Sequence, residues 1–484
     1  MAEAALYERL QEWVGRQGEP QVARDPVNLA TIRRWVDAFE DDNPAYVDTG
    51  FAIAQGLGGI VAPPTMLDVW DKQGQRAERQ AGNPQANVLT LLEEAGFTSV
   101  VAVNSELEFT RYLRPGDVVQ SIQTLESVTD EKQTAIGAGH FVTARYRYET
   151  TDGDHLGDVV FRVLKFKPGT GRPPAESPAG PQVDRDPARR PRPGINLDNQ
   201  FFWDGARRHE LRIQTCQACG EKYFPPTPRC WTCGSFDMGY VVSAGRGRLY
   251  SWAAPHHPQA PGFDYPLLAG LVELDEGTRL VSNLVGLRPA DLRIGMPLEV
   301  CWLDSHPALV EGATDARGPI TLPQFRPARP ARREQTLTAE EVAPGDELPL
   351  GAIPITTTLV VTCALVTLDY FDGHHDPEMA VVRGSKDIFT NIHTSLGLCQ
   401  RWISDWAGPA AVFRNIRVRL GVPNYPGDTL TMAGKVVAAD PGNGEITVGF
   451  TGFNRLGDHL TGTADLTLPP AGRPGRAGNG EETR

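Results

Sequence analysis

The clearest regularity along the chain is alternation. Residues 117–128 (DVVQSIQTLESV) and 138–149 (AGHFVTARYRYE) set apolar against polar side chains in turn, and so do 411–420 (AVFRNIRVRL) and 445–452 (EITVGFTG). A period near two belongs to a strand with one buried face, because successive side chains leave a strand on opposite sides. In both regions these runs follow a loop of Asp, Pro and aromatic residues and then a helix-like stretch. Each region therefore predicts a helix lying on an antiparallel sheet, an α+β arrangement. Between them the pattern changes to short strand-like runs at 246–253, 267–274, 279–286 and 298–303 without convincing helix periodicity. That predicts a small Greek-key β-barrel.

Pro- and Gly-rich stretches mark the boundaries. Residues 169–196 and 326–345 read as linkers and 469–484 as a disordered tail, since such composition buries too little to offset chain entropy. Three globular pieces remain, 1–168, 197–325 and 346–468, as expected when single cores stop growing near roughly 250–300 residues. The longest uncharged stretch, 348–368, contains Pro349, Gly351 and Pro354 and is rich in β-branched residues. It reads as β-strand and not as a membrane span. Residues 1–20 carry charges throughout and show no apolar core of a secretory leader, so a cytoplasmic protein is expected.

Net charge is −13, which argues against a nucleic-acid partner, because phosphate binding needs surplus Lys and Arg. Only seven of the 47 basic residues are Lys. Of seven Cys, four cluster in CQACGEKYFPPTPRCWTC (216–233), spaced C-x2-C-x10-C-x2-C through Cys216, Cys219, Cys230 and Cys233. Each C-x2-C bends as a knuckle, and two knuckles complete a tetrahedron of thiolates with no open position. This predicts structural zinc, with iron as the alternative.

The third piece also overlays the first. At an offset of 328 residues, Asp369 falls on Asp41, His374 on Tyr46, Asp376 on Asp48, Gly384 on Gly56 and Ile388 on Ile60, without a gap. Duplicated domains are the simplest cause. The motif D-x-N-P-x-H marks MaoC-like, R-specific enoyl-CoA hydratases, and both outer pieces resemble that family. The first keeps Asp41, Asn43 and Pro44 but has Tyr46 in the histidine position; its GGIVAPPTML (58–67) resembles the entrance to the family's central helix. The third keeps Asp369 and His374 at the required spacing, departs at Phe371 and Asp372, and its GSKDIFTNIHTSLG (384–397) resembles the helix entrance of actinobacterial steroid-CoA hydratases. The resemblance implies two hot-dog domains, each a helix wrapped by an antiparallel sheet.

Hydration of a conjugated thioester requires a held and deprotonated water, a stabilised enolate oxygen and a proton for the α-carbon. Asp369 and His374 are the candidates for water. Backbone N–H groups at a helix N-terminus suit the oxyanion, and Thr390 and Asn391 are the candidates there. No organic cofactor is needed. The ordinary role of such residues is capping, and Asp376-Pro377-Glu378 reads as a helix start. His375, Arg383 and Lys386 read as solvated neighbours, the last two with an outside role at CoA phosphates. Tyr46, with an ordinary pKa of about 10, is no base near neutral pH, so Asp41, Asn43 and Tyr46 form a degenerate site.

The ribbon together with GRLYSWAAPHHP (247–258) and LPQFRP (322–327) resembles the rubredoxin-like zinc-ribbon/OB-fold modules of acyl-CoA enzymes. That resemblance implies a fusion of the two subunits of a steroid side-chain enoyl-CoA hydratase. Its implied partners are an acyl-CoA, a thiolase-like aldolase of the sterol-carrier type and a second copy of the chain. Hydration of a fatty or polyketide enoyl thioester is the alternative activity. A non-enzymatic scaffold for a thiolase or nucleic acid is the other.

Overall fold

The computed structural model describes residues 2–75, 83–171, 189–305 and 320–470. Most of the expected linker 169–196 and nearly all of the expected tail 469–484 lie outside the described residues. The chain divides into two compact units, residues 1–175 with 330–349 and 353–484, and residues 176–329 with 350–352.

The first unit opens with α1 (Ala2–Gln11), β1 (Gln21–Val22), α2 (Leu29–Phe39), α3 (Pro44–Val47), α4 (Thr49–Ala54) and α5 (Pro84–Glu94). Strands β2 (Ser99–Phe109), β3 (Val119–Val128), β4 (Lys132–Gln133), β5 (Ala138–Thr150) and β6 (His155–Phe166) follow. The second unit contains α6 (Gln200–Ala206), β7 (Arg212–Cys216), β8 (Lys222–Tyr223), β9 (Met238–Val242) and β10 (Arg246–Ala253). It continues with β11 (Ala269–Leu274), β12 (Arg279–Asn283), β13 (Pro297–Ser305) and β14 (Ile320–Pro327). The chain then adds β15 (Gly351–Pro354), α7 (Thr357–Val366), α8 (Pro377–Val382), α9 (Ile392–Ala407), β16 (Val412–Leu420), β17 (Thr429–Asp440), β18 (Glu445–Asn454) and β19 (Gly457–Thr467).

The two outer pieces share one sheet, ordered β1-β3-β5-β6-β2-β16-β19-β18-β17-β15 with β4 beside β5. Its seam is the antiparallel pair β2 and β16, where Leu107 faces Ile416 and Ser105 faces Val418. Leu107 and Ile416 are fully buried, so the seam carries core and not merely hydrogen bonds. Helices α2, α7 and α9 pack against one another in the core of this unit, and α9 also packs on β16. On α2, Ile32, Trp35, Val36 and Phe39 are buried, the i, i+3, i+4, i+7 stripe of a helix packed on one side. On α9 every residue except His393 is buried, so this helix lies wholly inside the core. Each of its large apolar side chains adds roughly 1.5–3 kcal/mol by leaving water.

Three expectations shift. The uncharged stretch 348–368 is strand only at Gly351–Pro354 and is then the helix α7. Thr356 caps it by accepting the Leu359 N–H at 3.0 Å, and tertiary burial of Val360, Cys363 and Ala364 outweighs the β preference of its branched residues. The run 58–67 is a buried 3-10 turn over Pro64–Met66 and not the start of a regular helix. A regular helix begins only at Pro84, capped by Asn83. Residues 326–345, expected to be a tether, bury Leu337, Ala339 and Val342 in the core of the first unit.

In the second unit, β7, β8 and β9 form a three-stranded sheet and β12-β11-β10-β13-β14 a five-stranded one. A parallel bridge from Leu284 to Phe325 brings the end of β12 to β14 and curls the five strands into a barrel around Leu249, Val272, Leu298 and Phe325.

Gly397 shows how tightly the two halves of the first unit are packed. A Cβ there would lie 2.3 Å from the Phe39 ring, and that ring is pinned by its stack on Trp35 at 4.3 Å. Gly397→Ala should lower the urea midpoint, by about 1–3 kcal/mol of overpacking, despite the higher helix propensity of Ala. Adding Phe39→Leu should recover part of the loss; a stabilised single variant would contradict this packing.

Candidate functional site

The two halves of the first unit build the same local backbone. Thr356 caps α7 as Asn28 caps α2. Leu368, with φ 53°, ends α7 as Glu40, with φ 49°, ends α2, and these are two of three non-glycine residues with positive φ among the described residues. Asp376 caps α8 by accepting from Met379, and Asp48 caps α4 by accepting from Phe51, each at 3.0 Å. Every pair lies 328 residues apart. The turn after each first helix thus presents Asp369 in one half and Asp41 in the other.

In the C-terminal half that turn brings Asp369 and His374 together, with Oδ2 and Nε2 3.6 Å apart. This is too long for a direct hydrogen bond and suits one oxygen held by both. His374 Nδ1 lies 2.8 Å from the Phe389 carbonyl, so it carries the proton and donates, which leaves Nε2 as the lone-pair nitrogen facing Asp369. Phe371 and Phe389 hold the imidazole edge to face, with ring centroids at 5.3 and 4.8 Å. Phe371, in the motif's Asn position, therefore acts as a wall for the ring. Burial holds the His374 pKa below its usual value despite the opposing charge of Asp369. Burial pushes the Asp369 carboxyl up, but His374, Lys72 and His393 outweigh it and hold the group below the ordinary range.

The N-terminal counterpart is closed. Asp41, Asn43 and Tyr46 are all buried. Asn43 serves as a cap, accepting from the Ala45 N–H at 3.0 Å. Gln400 from α9 fills the space, donating to Asp41 at 2.9 Å and to Tyr46 at 3.3 Å. Its Oε1 accepts from the Thr65 hydroxyl at 2.6 Å and the Thr65 N–H at 3.1 Å. Burial pushes Asp41 up to about 7 and Tyr46 well above its usual value. Asp41 and Tyr46 are both hydrogen-bonded to Gln400, and the phenol stays un-ionised.

Of the two expected oxyanion donors, the Thr390 N–H is committed to the Asn424 carbonyl at 3.1 Å. Asn391 is the N-cap of α9, accepting from Thr394 at 2.7 Å and donating to the Thr367 hydroxyl at 2.9 Å. The first-turn N–H groups after it, on Ile392 and His393, have no acceptor within the helix. His459 braces this turn: Nδ1 donates to the Val422 carbonyl at 2.6 Å and Nε2 accepts from Ser395 at 2.8 Å. Arg383 is paired with Asp372, Nη2 to Oδ2 at 2.7 Å, and Lys386 lies 4.5 Å over the Tyr425 ring. Sequence reasoning missed Gln400, Lys72, Asp68 and His393. Gln400 sits in an apolar helical run, the other three pair across some 320 residues, and no local spacing signals either.

In the second unit the Sγ atoms of Cys216, Cys219, Cys230 and Cys233 lie within 4.8 Å of one another. Cys216–Cys233 and Cys219–Cys230 are 3.6 and 3.5 Å apart. These are far beyond a disulfide bond and near the edge of a tetrahedron with Zn–S bonds of about 2.3 Å. Gly220 and Gly234, with φ of 78° and 76°, close the two knuckles by donating to the carbonyls of Cys216 and Cys230. Four thiolates with no open ligand position fit structural zinc. Among the described residues no helix is long and apolar enough to cross a membrane.

Comparison with known proteins follows this division. Residues 12–159 match the model of the FAS1-like dehydratase domain region. Residues 203–239 match the ChsH2 rubredoxin-like zinc ribbon domain, and 240–303 its C-terminal OB-fold domain. A probable enoyl-CoA hydratase alpha subunit of Thermomonospora curvata is 43% identical over 327 residues, 66% of this chain and 96% of the relative. The 3-oxo-4,17-pregnadiene-20-carboxyl-CoA hydratase alpha subunit of Mycobacterium tuberculosis is 42% identical over 59% of this chain and 89% of its own length. The beta subunit of that enzyme is 51% identical over 111 residues, 23% of this chain and 84% of the relative. A solved MaoC-like dehydratase covers 95% of this chain and 100% of its own at TM-score 0.52 and 15% identity, a likeness of fold.

The ribbon makes a direct prediction. Metal analysis of the purified chain should find about one zinc per molecule, and Cys230→Ser, which removes a buried ligand, should abolish it, since such sites fold with their metal. Undiminished zinc in that variant would place the metal elsewhere.

Proposed function

Because the chain belongs to the family of MaoC-like enoyl-CoA hydratases, joining relatives of an alpha and a beta subunit in one polypeptide, we propose that it hydrates a bulky enoyl-CoA. The acyl group is a steroid side chain unsaturated at C17–C20, the substrate class named for two of its relatives. The observation that carries this reading is the Asp369–His374 gap of 3.6 Å, with the imidazole tautomer set by the Phe389 carbonyl.

In this mechanism one water lies between Asp369 Oδ2 and His374 Nε2. Its oxygen attacks the β-carbon while Nε2 takes a proton. The electron pair of the double bond moves into the thioester, and the enolate oxygen meets the N-terminus of α9, where Asn391 and the first-turn N–H groups are the donors. The enolate collapses as the α-carbon receives a proton from the same dyad, so water is added without net change at the enzyme. Asp369 stays ionised to orient the water and to balance the imidazolium. The half containing Asp41, Asn43 and Tyr46 performs no chemistry, and its fold forms a wall for the acyl group.

The zinc ribbon and barrel serve as a docking module. Their match to ChsH2 modules supports a thiolase-like aldolase as partner, which receives the tertiary β-hydroxyacyl-CoA and cleaves it. The native assembly is a dimer of this chain.

Removing the proposed base should cost about 10²–10⁴-fold in kcat. His374→Ala should therefore lose at least a hundredfold on a 17(20)-unsaturated steroid-CoA, with Tyr46→Phe near the parent rate. A loss below tenfold for His374→Ala would remove the dyad from the mechanism. A higher kcat/KM on a straight-chain enoyl-CoA would replace the steroid by a fatty substrate.

A further inference from the structure

A half-buried chain of polar contacts runs from the silent half to the active one. Asp68 and Lys72 belong to the segment after the Pro64–Met66 turn, and His393 is the second residue of α9. Asp68 Oδ2 lies 3.1 Å from His393 Nδ1. His393 Nε2 lies 2.8 Å from Lys72 Nζ, which also donates to the Thr367 carbonyl at 3.0 Å. The donor count fixes the protons. An ammonium has only hydrogens to offer, so Nε2 must accept, and the remaining imidazole proton sits on Nδ1, facing the carboxylate. Thr367 is held from its other side by Asn391, and Leu368 after it turns the chain into Asp369.

This places one ammonium among several ionisable groups. Asp369 faces it from the turn after α7, with His374 beside Asp369, and His393 faces it from α9. Asp68 and Asp71 face it from its own segment. His375, beside His374, turns its Nε2 to the Tyr370 carbonyl. Asp68 is held below the ordinary carboxylate range by His393 and Lys72 against its burial, whereas burial pushes Asp71 up to about 6. Asp71 instead accepts hydrogen bonds from Ser121 at 2.6 Å and Tyr148 at 3.3 Å. The ammonium lowers all three of these carboxyls, Asp68, Asp71 and Asp369.

We propose that Lys72, a residue of the silent half, is a positioning residue for the Asp369–His374 dyad: it ties the Thr367 carbonyl to the Asp68–His393 pair and keeps a positive charge beside the Asp369 carboxylate. The silent half thereby supplies more than a wall; after His374, its Lys72 is the next charge that favours the Asp369 carboxylate on the other half. The inference rests on the dyad being catalytic.

The test uses the full chain and the pH dependence of kcat/KM. A charge within a few ångströms moves a neighbouring pKa by about 1–3 units. Without the ammonium the Asp369 pKa rises, less carboxylate is present at a given acidic pH, and the acid limb moves to higher pH. Because the Asp369 carboxyl starts below the ordinary carboxylate range, Lys72→Met should shift that limb upward by about one unit and lower kcat below about pH 5 more than at neutral pH. KM should change less than kcat, and Lys72→Arg should restore much of the limb. His393→Asn, which leaves the charge but breaks its anchor, should give an intermediate shift and keeps the test decisive if Lys72→Met does not fold. An unmoved acid limb in folded Lys72→Met, with His374→Ala inactive, would overturn the role of Lys72. Full activity of His374→Ala would instead overturn the dyad itself.

Discussion

The structure depends on one helix that has nowhere to expose a polar atom. With all of α9 but His393 buried, its polar side chains Ser395 and Gln400 and its cap Asn391 find partners inside the protein, as buried polar groups generally do. Those partners are the functional map. The first turn of α9 joins Asn391 to Thr367 and Ser395 to His459, which fixes the turn that carries Asp369. Two turns later, Gln400 inserts between Asp41, Tyr46 and Thr65. The same element therefore frames one site and fills the other, and the asymmetry of the two halves follows from where α9 runs.

Electrostatics complete the asymmetry. The two turns match in backbone, down to the positive φ of Glu40 and Leu368, yet their carboxyls behave oppositely. Asp41 is pushed up to about 7 because its burial is answered by a neutral amide and the nearby Asp405 charge. Asp369 is held low because an imidazole and an ammonium face it. Tyr46 stands where His374 stands in the other half, 328 residues on. Gln400 and Thr65 surround that position with hydrogen bonds to Asp41 and Tyr46 and to one another.

The second unit follows a different logic. Its ribbon is held by metal chemistry, with glycines at the two positive-φ positions that let four thiolates converge, and its barrel by a compact apolar core. The large apolar side chains Trp231 and Phe236, each about three-quarters exposed, flank the ribbon's second knuckle and suit the docking role proposed for this module.

Local signals were legible in the amino-acid sequence wherever the physics is local. The period-two strands, the tetrathiolate spacing, the Asp376 cap and the Asp369–His374 spacing each depend on residues a few positions apart, as does the 328-residue repeat once its anchors are aligned. Other features needed the fold. The uncharged stretch became α7 because its burial, and not its β-branched composition, decided the backbone. Thr390 lost its expected role because its N–H is taken by Asn424, on a distant loop. Gln400 and Lys72 acquired theirs from partners more than 290 residues away. Sequence spacing determines which atoms a turn or knuckle brings together; which buried donor meets which acceptor across a core is decided only when the chain packs.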